Sequence, residues 1–165
     1  MAEIRKFEES DWEQVKIIYE LGIKTGQATF EIATPSLEYF VESAVKDCLL
    51  VAHDNQKILG WCKLSRTSNR EVYRGVGEVS IYVHPNASGK GTGSKLLQAL
   101  ITCSEDKGFW TLFAGIFPEN KTSIHLHKKF GFQELGIQRK IGRMKGVWRV
   151  VVMFERRSTV VGNNE

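Results

Sequence analysis

The 165 residues contain no apolar run near the ~20 that a bilayer-spanning helix requires, and the chain does not open on a signal-peptide pattern. No membrane partner is therefore expected. Cysteine is scarce. The three present, Cys48, Cys62 and Cys103, are odd in number, widely spaced and set in apolar patterns. They predict buried, reduced thiols and a cytoplasmic location. None of them pairs at metal-ligand spacing, so no metal site is expected. Proline is also rare, and Pro35, Pro85 and Pro118 each punctuate the pattern rather than forming a Pro-rich linker. No internal repeat, low-complexity tract or Lys/Arg run longer than two residues occurs. The net charge of +4 and pI near 9.0 suit a ligand with several phosphates as well as they suit nucleic acid. With no basic run to add to that balance, nucleic acid is not an expected partner.

Two nucleotide signatures are missing as well. No window supplies Gly-x-x-x-x-Gly-Lys-Ser/Thr. The glycines Gly89, Gly91 and Gly93 are spaced Gly-x-Gly-x-Gly rather than Gly-x-Gly-x-x-Gly, and Trp110 to Ile116, the next strand, carries no acid. What is present is an ordinary soluble composition, 42% hydrophobic and 25% charged, of a length that fits one domain. The boundaries expected are a folded domain over 1–157 and a polar, frayed tail from about Arg156, written as 158–165.

The chain is organised around Gly77 to Ala99. Val79, Ile81 and Val83 alternate with Glu78, Ser80 and Tyr82 as in a strand with two different faces. Pro85 and Asn86 end it. After Gly89-Lys90-Gly91-Thr92-Gly93, the residues Leu96, Leu97, Leu100 and Ile101 recur at helix spacing. A helix start has N–H groups without internal partners and carries the positive dipole end. Glycines let phosphate oxygens approach such amides. Lys90 and Lys95 add charge beside the loop, so a phosphorylated ligand is expected there.

The remaining elements alternate. Ile4 to Phe7 reads as a strand and Ser10-Asp11-Trp12-Glu13 as a capping box opening a helix with Val15, Ile18 and Tyr19. Thr34-Pro35 reads as the cap of a second helix with Leu37, Phe40, Val41 and Ala44 buried. Cys48–Ala52 and Ile58–Leu64 make a hairpin across Asp54-Asn55-Gln56. Trp110–Ile116 is a strand most simply parallel to the central one. A helix from about Thr122 to Phe130, strands from Phe132 and over Trp148–Phe154, complete an α/β chain with a mixed sheet.

The glycine loop resembles motif A of the GCN5-related N-acetyltransferases, Gln/Arg-x-x-Gly-x-Gly/Ala, with Ser88 standing where Gln or Arg is usual. The resemblance implies a single-domain acyl-CoA N-acyltransferase fold and acetyl-CoA as the cofactor. It also implies that the amides of Ser88, Gly89, Lys90, Gly91, Thr92, Gly93 and Ser94 hold its pyrophosphate. The strand residues Ile81, Tyr82 and Val83 would then offer backbone to the pantetheine arm. Phe117 to Phe132 looks like motif B, Asn-x-x-Ala/Ser-x-x-Leu-Tyr-x-x-x-Gly-Phe, with Asn120, Ser123, Leu126, Gly131 and Phe132 in register. This adds Asn120 and Ser123 to the expected coenzyme site, and puts His127 where a thiolate-protonating tyrosine commonly stands. His127 reads equally as a packed histidine bonded to a backbone carbonyl.

The match to the phosphinothricin/L-amino-acid branch covers roughly residues 4–154. It includes Thr25-x-x-Ala28-Thr29-Phe30-Glu31, Arg70-Glu71-Val72-Tyr73-Arg74, and Lys145-Gly146-x-Trp148 followed by Arg149 where that branch usually has Asp. The implied activity is acetylation of the primary amine of a small amino-acid-like substrate such as phosphinothricin, methionine sulfone or methionine sulfoximine. Glu78 is the candidate general base, against a solvent-facing strand glutamate as the alternative. Arg70 and Arg74 are candidates for the substrate's acidic group, with Thr29, Phe30 and Tyr73 as pocket walls. As an alternative, the arginines are simply solvated. A homodimer follows from the resemblance alone. Competing functions are acetylation of a polyamine, an aminoglycoside or a protein amino terminus, and a non-catalytic acyl-CoA-binding module.

Overall fold

A computed structural model describes residues 1–163. The chain runs through β1 (Glu3–Lys6), α1 (Trp12–Lys24), α2 (Leu37–Glu42), β2 (Leu49–Asp54), β3 (Lys57–Arg66) and β4 (Val76–Val83). It continues with α3 (Thr92–Asp106), β5 (Thr111–Ile116), α4 (Lys121–Lys129), β6 (Gln133–Met144) and β7 (Val147–Arg157). The seven strands form one sheet in the order β1-β2-β3-β4-β5-β7-β6. Only β4 and β5 are parallel; the helix between them supplies the crossover that a parallel pair needs. Among the described residues no helix is long and apolar enough to cross a membrane.

The strands bury both faces. Leu50, Ala52, Cys62 and Leu64 pack with Leu96, Leu97, Leu100 and Ile101 of α3. Leu49, Val51 and Trp61 point the other way, into a cluster with Val15, Ile18 and Tyr19 of α1 and Phe40 of α2. The period of two along β2 and β3 thus feeds two cores, each covered by a helical stripe.

The feature that matters most is a parting of strands. β4 pairs with β5 over three residues only, from Val76 opposite Thr111 to Glu78 opposite Phe113. Beyond that point β4 stays with β3, and β5 stays with β7. The parallel strands diverge just past Glu78, leaving their facing backbone edges open.

Several local expectations need correction. Ser10 caps nothing; the Asp11 carboxylate accepts the Glu8 N–H at 2.9 Å and a two-pronged bond from Arg5 at 2.7 and 2.8 Å. The cap of α2 is Ser36, whose Oγ accepts the Tyr39 N–H at 3.2 Å, not Thr34. In that helix Phe40 is fully buried while Val41 is 40% exposed.

Cys48 and Cys103 are joined as a disulfide, with Cα atoms 5.9 Å apart, instead of being free thiols. The fold lays the start of β2 against the last turns of α3, which a separation of 55 residues conceals. Cys62 alone is free, and it is buried.

The C-terminal end is held rather than frayed as far as it is described. Arg156 pairs with Glu105 at 3.0 Å, and buried Ser158 donates to the same carboxylate at 3.2 Å. Of the expected tail, residues 164 and 165 lie outside the described residues.

Candidate active site

The glycine loop follows β4 and runs into α3. Gly89 and Gly91 adopt φ of +74° and +83°, a region that L side chains enter only at a cost. Residues 88–91 are exposed, while Thr92 at the first turn of α3 is buried. Among the described residues no hydrogen bond engages the N–H groups of residues 89–94; the next, Lys95, bonds back to Gly91 at 3.1 Å. Ser88 departs from the expected set, because its N–H is spent on the Pro85 carbonyl at 3.2 Å. Six free amides at the start of a 15-residue helix are a fitting cradle for a diphosphate. Lys90 is exposed beside them, while Lys95 bends away to the Ala2 carbonyl at 2.9 Å.

A cleft of about 1430 Å³ opens where β4 and β5 part. Its walls include Glu78, Ile81 and Tyr82 of β4, Ala114 to Ile116 of β5 with Phe117 just beyond, Asn120 at the cap of α4, and Ser123 and His127 on that helix. Val83 is not in this wall; it packs on the core and stands beside Gly93, one link before the loop. Tyr82 also fails to present its ring. That ring stacks on Trp61 at 4.6 Å and lies tilted against Tyr19 at 4.9 Å.

Glu78 projects into the cleft. Water reaches its carboxylate, yet protein surrounds it closely enough for desolvation to raise its pKa, with the Lys63 charge pulling the other way. No cation lies within 4.0 Å of it among the described residues. A carboxylate so placed is a free proton acceptor.

His127 is buried, and its Nδ1 lies 2.7 Å from the Ser123 carbonyl. A carbonyl only accepts, so the neutral ring carries its proton at Nδ1 and leaves Nε2 as an acceptor. Burial lowers the ring's pKa and keeps it neutral. In that neutral form Nε2 accepts a hydrogen bond and has no proton of its own to give. Asn120 is likewise engaged. Its Oδ1 accepts the Ser123 N–H and its Nδ2 donates to the Gln27 carbonyl, both at 3.2 Å. It frames the cleft by tying α4 to the loop that carries Thr29 and Phe30.

Both of those residues line the cleft, with Phe30 edge-on to Phe117 at 5.0 Å. Arg70, Tyr73 and Arg74 do not. They sit on and beside a short exposed 3-10 turn and make their contacts elsewhere: Arg70 over Tyr73 at 5.3 Å, Arg74 over Trp110 at 5.2 Å and paired with Glu71 at 3.6 Å. From the same connection Arg66 and Asn69 line the cleft instead.

Arg149, marked in the sequence only as a departure from Asp, and Lys63 contribute beyond the expected site residues. Arg149 turns inward and donates to the Gly26 carbonyl at 2.9 Å and to Gln27 Oε1 at 3.0 Å, stacks on Phe117 at 3.9 Å and lies 3.5 Å from Glu119. The departure from Asp thus fastens the Gln27–Phe30 loop to β7. Lys63 also lines the cleft. Its signal was a lysine inside an otherwise apolar strand, Ile58 to Leu64.

The chain is similar to known proteins of one family. The Acetyltransferase (GNAT) family matches residues 6–132. A phosphinothricin N-acetyltransferase of Alcaligenes faecalis is 31% identical over 159 residues, 93% of this chain and 81% of that protein. An L-methionine sulfoximine/L-methionine sulfone acetyltransferase of Pseudomonas paraeruginosa is 37% identical over 101 residues, 61% of this chain and 59% of that one. Among solved structures, a GNAT superfamily phosphinothricin acetyltransferase from Sinorhizobium meliloti, in complex with AcCoA, superimposes with a TM-score of 0.88 at 29% identity. That likeness covers 99% of this chain and 92% of the other.

Proposed function

The chain belongs to the acetyltransferase (GNAT) family, and from that premise we propose that it transfers the acetyl group of acetyl-CoA to the primary amine of a small amino-acid-like substrate. The observation that carries this reading is the continuity of β4. One strand leads from a free carboxylate at Glu78, past an open backbone edge, to six unpartnered amides at residues 89–94. A diphosphate would be gripped at the loop and an extended arm accepted along the parted strand.

In the transfer, the amine nitrogen bonds to the thioester carbonyl carbon and the C–S bond breaks; of the ammonium's three protons one goes to Glu78, one stays on the amide nitrogen, and one, shed as the tetrahedral intermediate collapses, leaves on the sulfur as thiol. Glu78 takes the proton that the attacking ammonium must shed, directly or through water, and its charge draws a cationic substrate inward. Neutral His127 accepts a hydrogen bond at Nε2 and so orders water or substrate in the cleft; it is not the acid. The names of the relatives support amino-acid-like substrates.

The chain also acts as a homodimer in this reading. What supports it is the β6–β7 edge, where Leu135, Ile137, Ile141, Val147 and Trp148 are about half exposed or more.

An amine panel tests the proposal. With acetyl-CoA, thiol release is expected to be fastest with L-methionine sulfone, L-methionine sulfoximine or phosphinothricin. Preference for spermidine, an aminoglycoside or a peptide amino terminus would replace the substrate class, and coenzyme binding without turnover of any amine would replace the enzyme by a binding module.

A further inference from the structure

We infer that Lys63 receives the α-carboxylate of the substrate, opposite the Glu78 carboxylate that receives its amine; this rests on the reading of the cleft as an amino-acid N-acetylation site. In the β3–β4 register Lys63 stands opposite Ser80, and Ser65 stands opposite Glu78. Lys63 and Glu78 are therefore diagonal neighbours on one face of the sheet, about 7–8 Å apart by strand geometry. Both face the cleft. They are not an ion pair, since no carboxylate lies within 4.0 Å of Lys63 Nζ among the described residues. A zwitterion seated between them would make one hydrogen bond of about 2.9 Å at each charged end.

The ammonium is held in place for this role. Lys63 Nζ donates to Ser43 Oγ at 2.8 Å and rests 5.0 Å from the Phe40 ring centroid. Ser43 spends its own proton on the Phe40 carbonyl at 3.2 Å, so its oxygen is oriented to accept. An ammonium has three donors, and this contact uses one.

The other cations of the cleft are committed or loose. Lys107 pairs with Asp47 at 2.8 Å, Arg66 donates to the Arg74 carbonyl at 2.9 Å and lies 5.3 Å from the Phe109 ring centroid, and Lys46 is exposed, with no partner holding it among the described residues. Burial makes the Lys63 charge costly, with Glu78 and Glu31 only partly offsetting that cost; an arriving carboxylate completes the compensation.

Steady-state kinetics with two amines separates this role from a structural one. The amines are L-methionine sulfone and its decarboxylated counterpart, 3-(methylsulfonyl)propan-1-amine. Lys63→Met is expected to raise KM for L-methionine sulfone roughly 30-fold, the scale of one charge-assisted hydrogen bond, with kcat within about threefold. KM for the decarboxylated amine should stay within about threefold of wild type, and Lys63→Arg should recover part of the loss with the amino acid. If Lys63→Met raises both KM values alike, or neither, while wild type turns over L-methionine sulfone, the inference alone is overturned. If wild type turns over the decarboxylated amine in preference to every amino acid tested, the substrate reading falls and the inference with it.

Discussion

A histidine one carbonyl away from being an acid illustrates how much a single hydrogen bond decides. His127 occupies the sequence position of a proton donor, but the Ser123 carbonyl claims its Nδ1 proton at 2.7 Å. Replacing it by glutamine should lower kcat/KM by less than the roughly 10²-fold that a general acid contributes. It should also leave the alkaline limb of the pH profile unmoved. Disappearance of that limb in His127→Gln would restore the acid. Residues of this kind were visible in the sequence as positions, not as roles. Glu78 and His127 could be picked out by spacing, whereas tautomer, burial and the commitment of Asn120 to Gln27 depend on partners far along the chain. Arg70 and Arg74 had the right chemistry, but neither lines the cleft: their guanidinium groups lie over Tyr73 and Trp110.

At the level of elements, the strand–loop–helix unit was fully legible, because each part obeys a local rule. Alternation marked β4, glycines marked the loop, and the leucine stripe marked α3. Gly91 is the hinge of that unit, holding φ +83° at the N-cap of α3, where an added Cβ would have open space but a strained backbone. Gly91→Ala should therefore cost about 1–2 kcal/mol of stability through conformation alone. By turning the amides of residues 89–94 it should raise KM for acetyl-CoA more than KM for the amine. Urea denaturation and two KM values check this; an unchanged KM for acetyl-CoA would remove the loop from coenzyme binding. What could not be read locally was the length of β6, exposed along almost all of its residues and therefore without a buried face to set a pattern. The caps of α1 and α2 slipped for a related reason. Several hydroxyl and carboxylate side chains stood near each helix start, and tertiary partners such as Arg5 chose among them.

For the whole molecule, one property remains open to view on the surface. β6 lies at the sheet's edge beside β7, and their exposed apolar side chains are a liability for a monomer. Light scattering is expected to give twice 18.7 kDa for wild type and a mass near that of one chain for Ile137→Lys. A wild type that scatters as a single chain would contradict the dimer. The Cys48–Cys103 disulfide belongs to this scale too. Composition predicted free thiols, and only the packing of β2 against α3 brings the two together.

The most direct test of the account is the pH dependence of thiol release from acetyl-CoA with L-methionine sulfone, wild type against Glu78→Gln. Because desolvation raises the Glu78 pKa, wild-type kcat/KM should fall with decreasing pH through a value above the ordinary glutamate range of about 4.3. The base must be ionised to work, so activity is present above that value and lost below it. Glu78→Gln should lack this limb and run at least about 10²-fold slower on the plateau. Equal turnover by the two proteins across the whole pH range would contradict the claim that this carboxylate takes the proton of the amine.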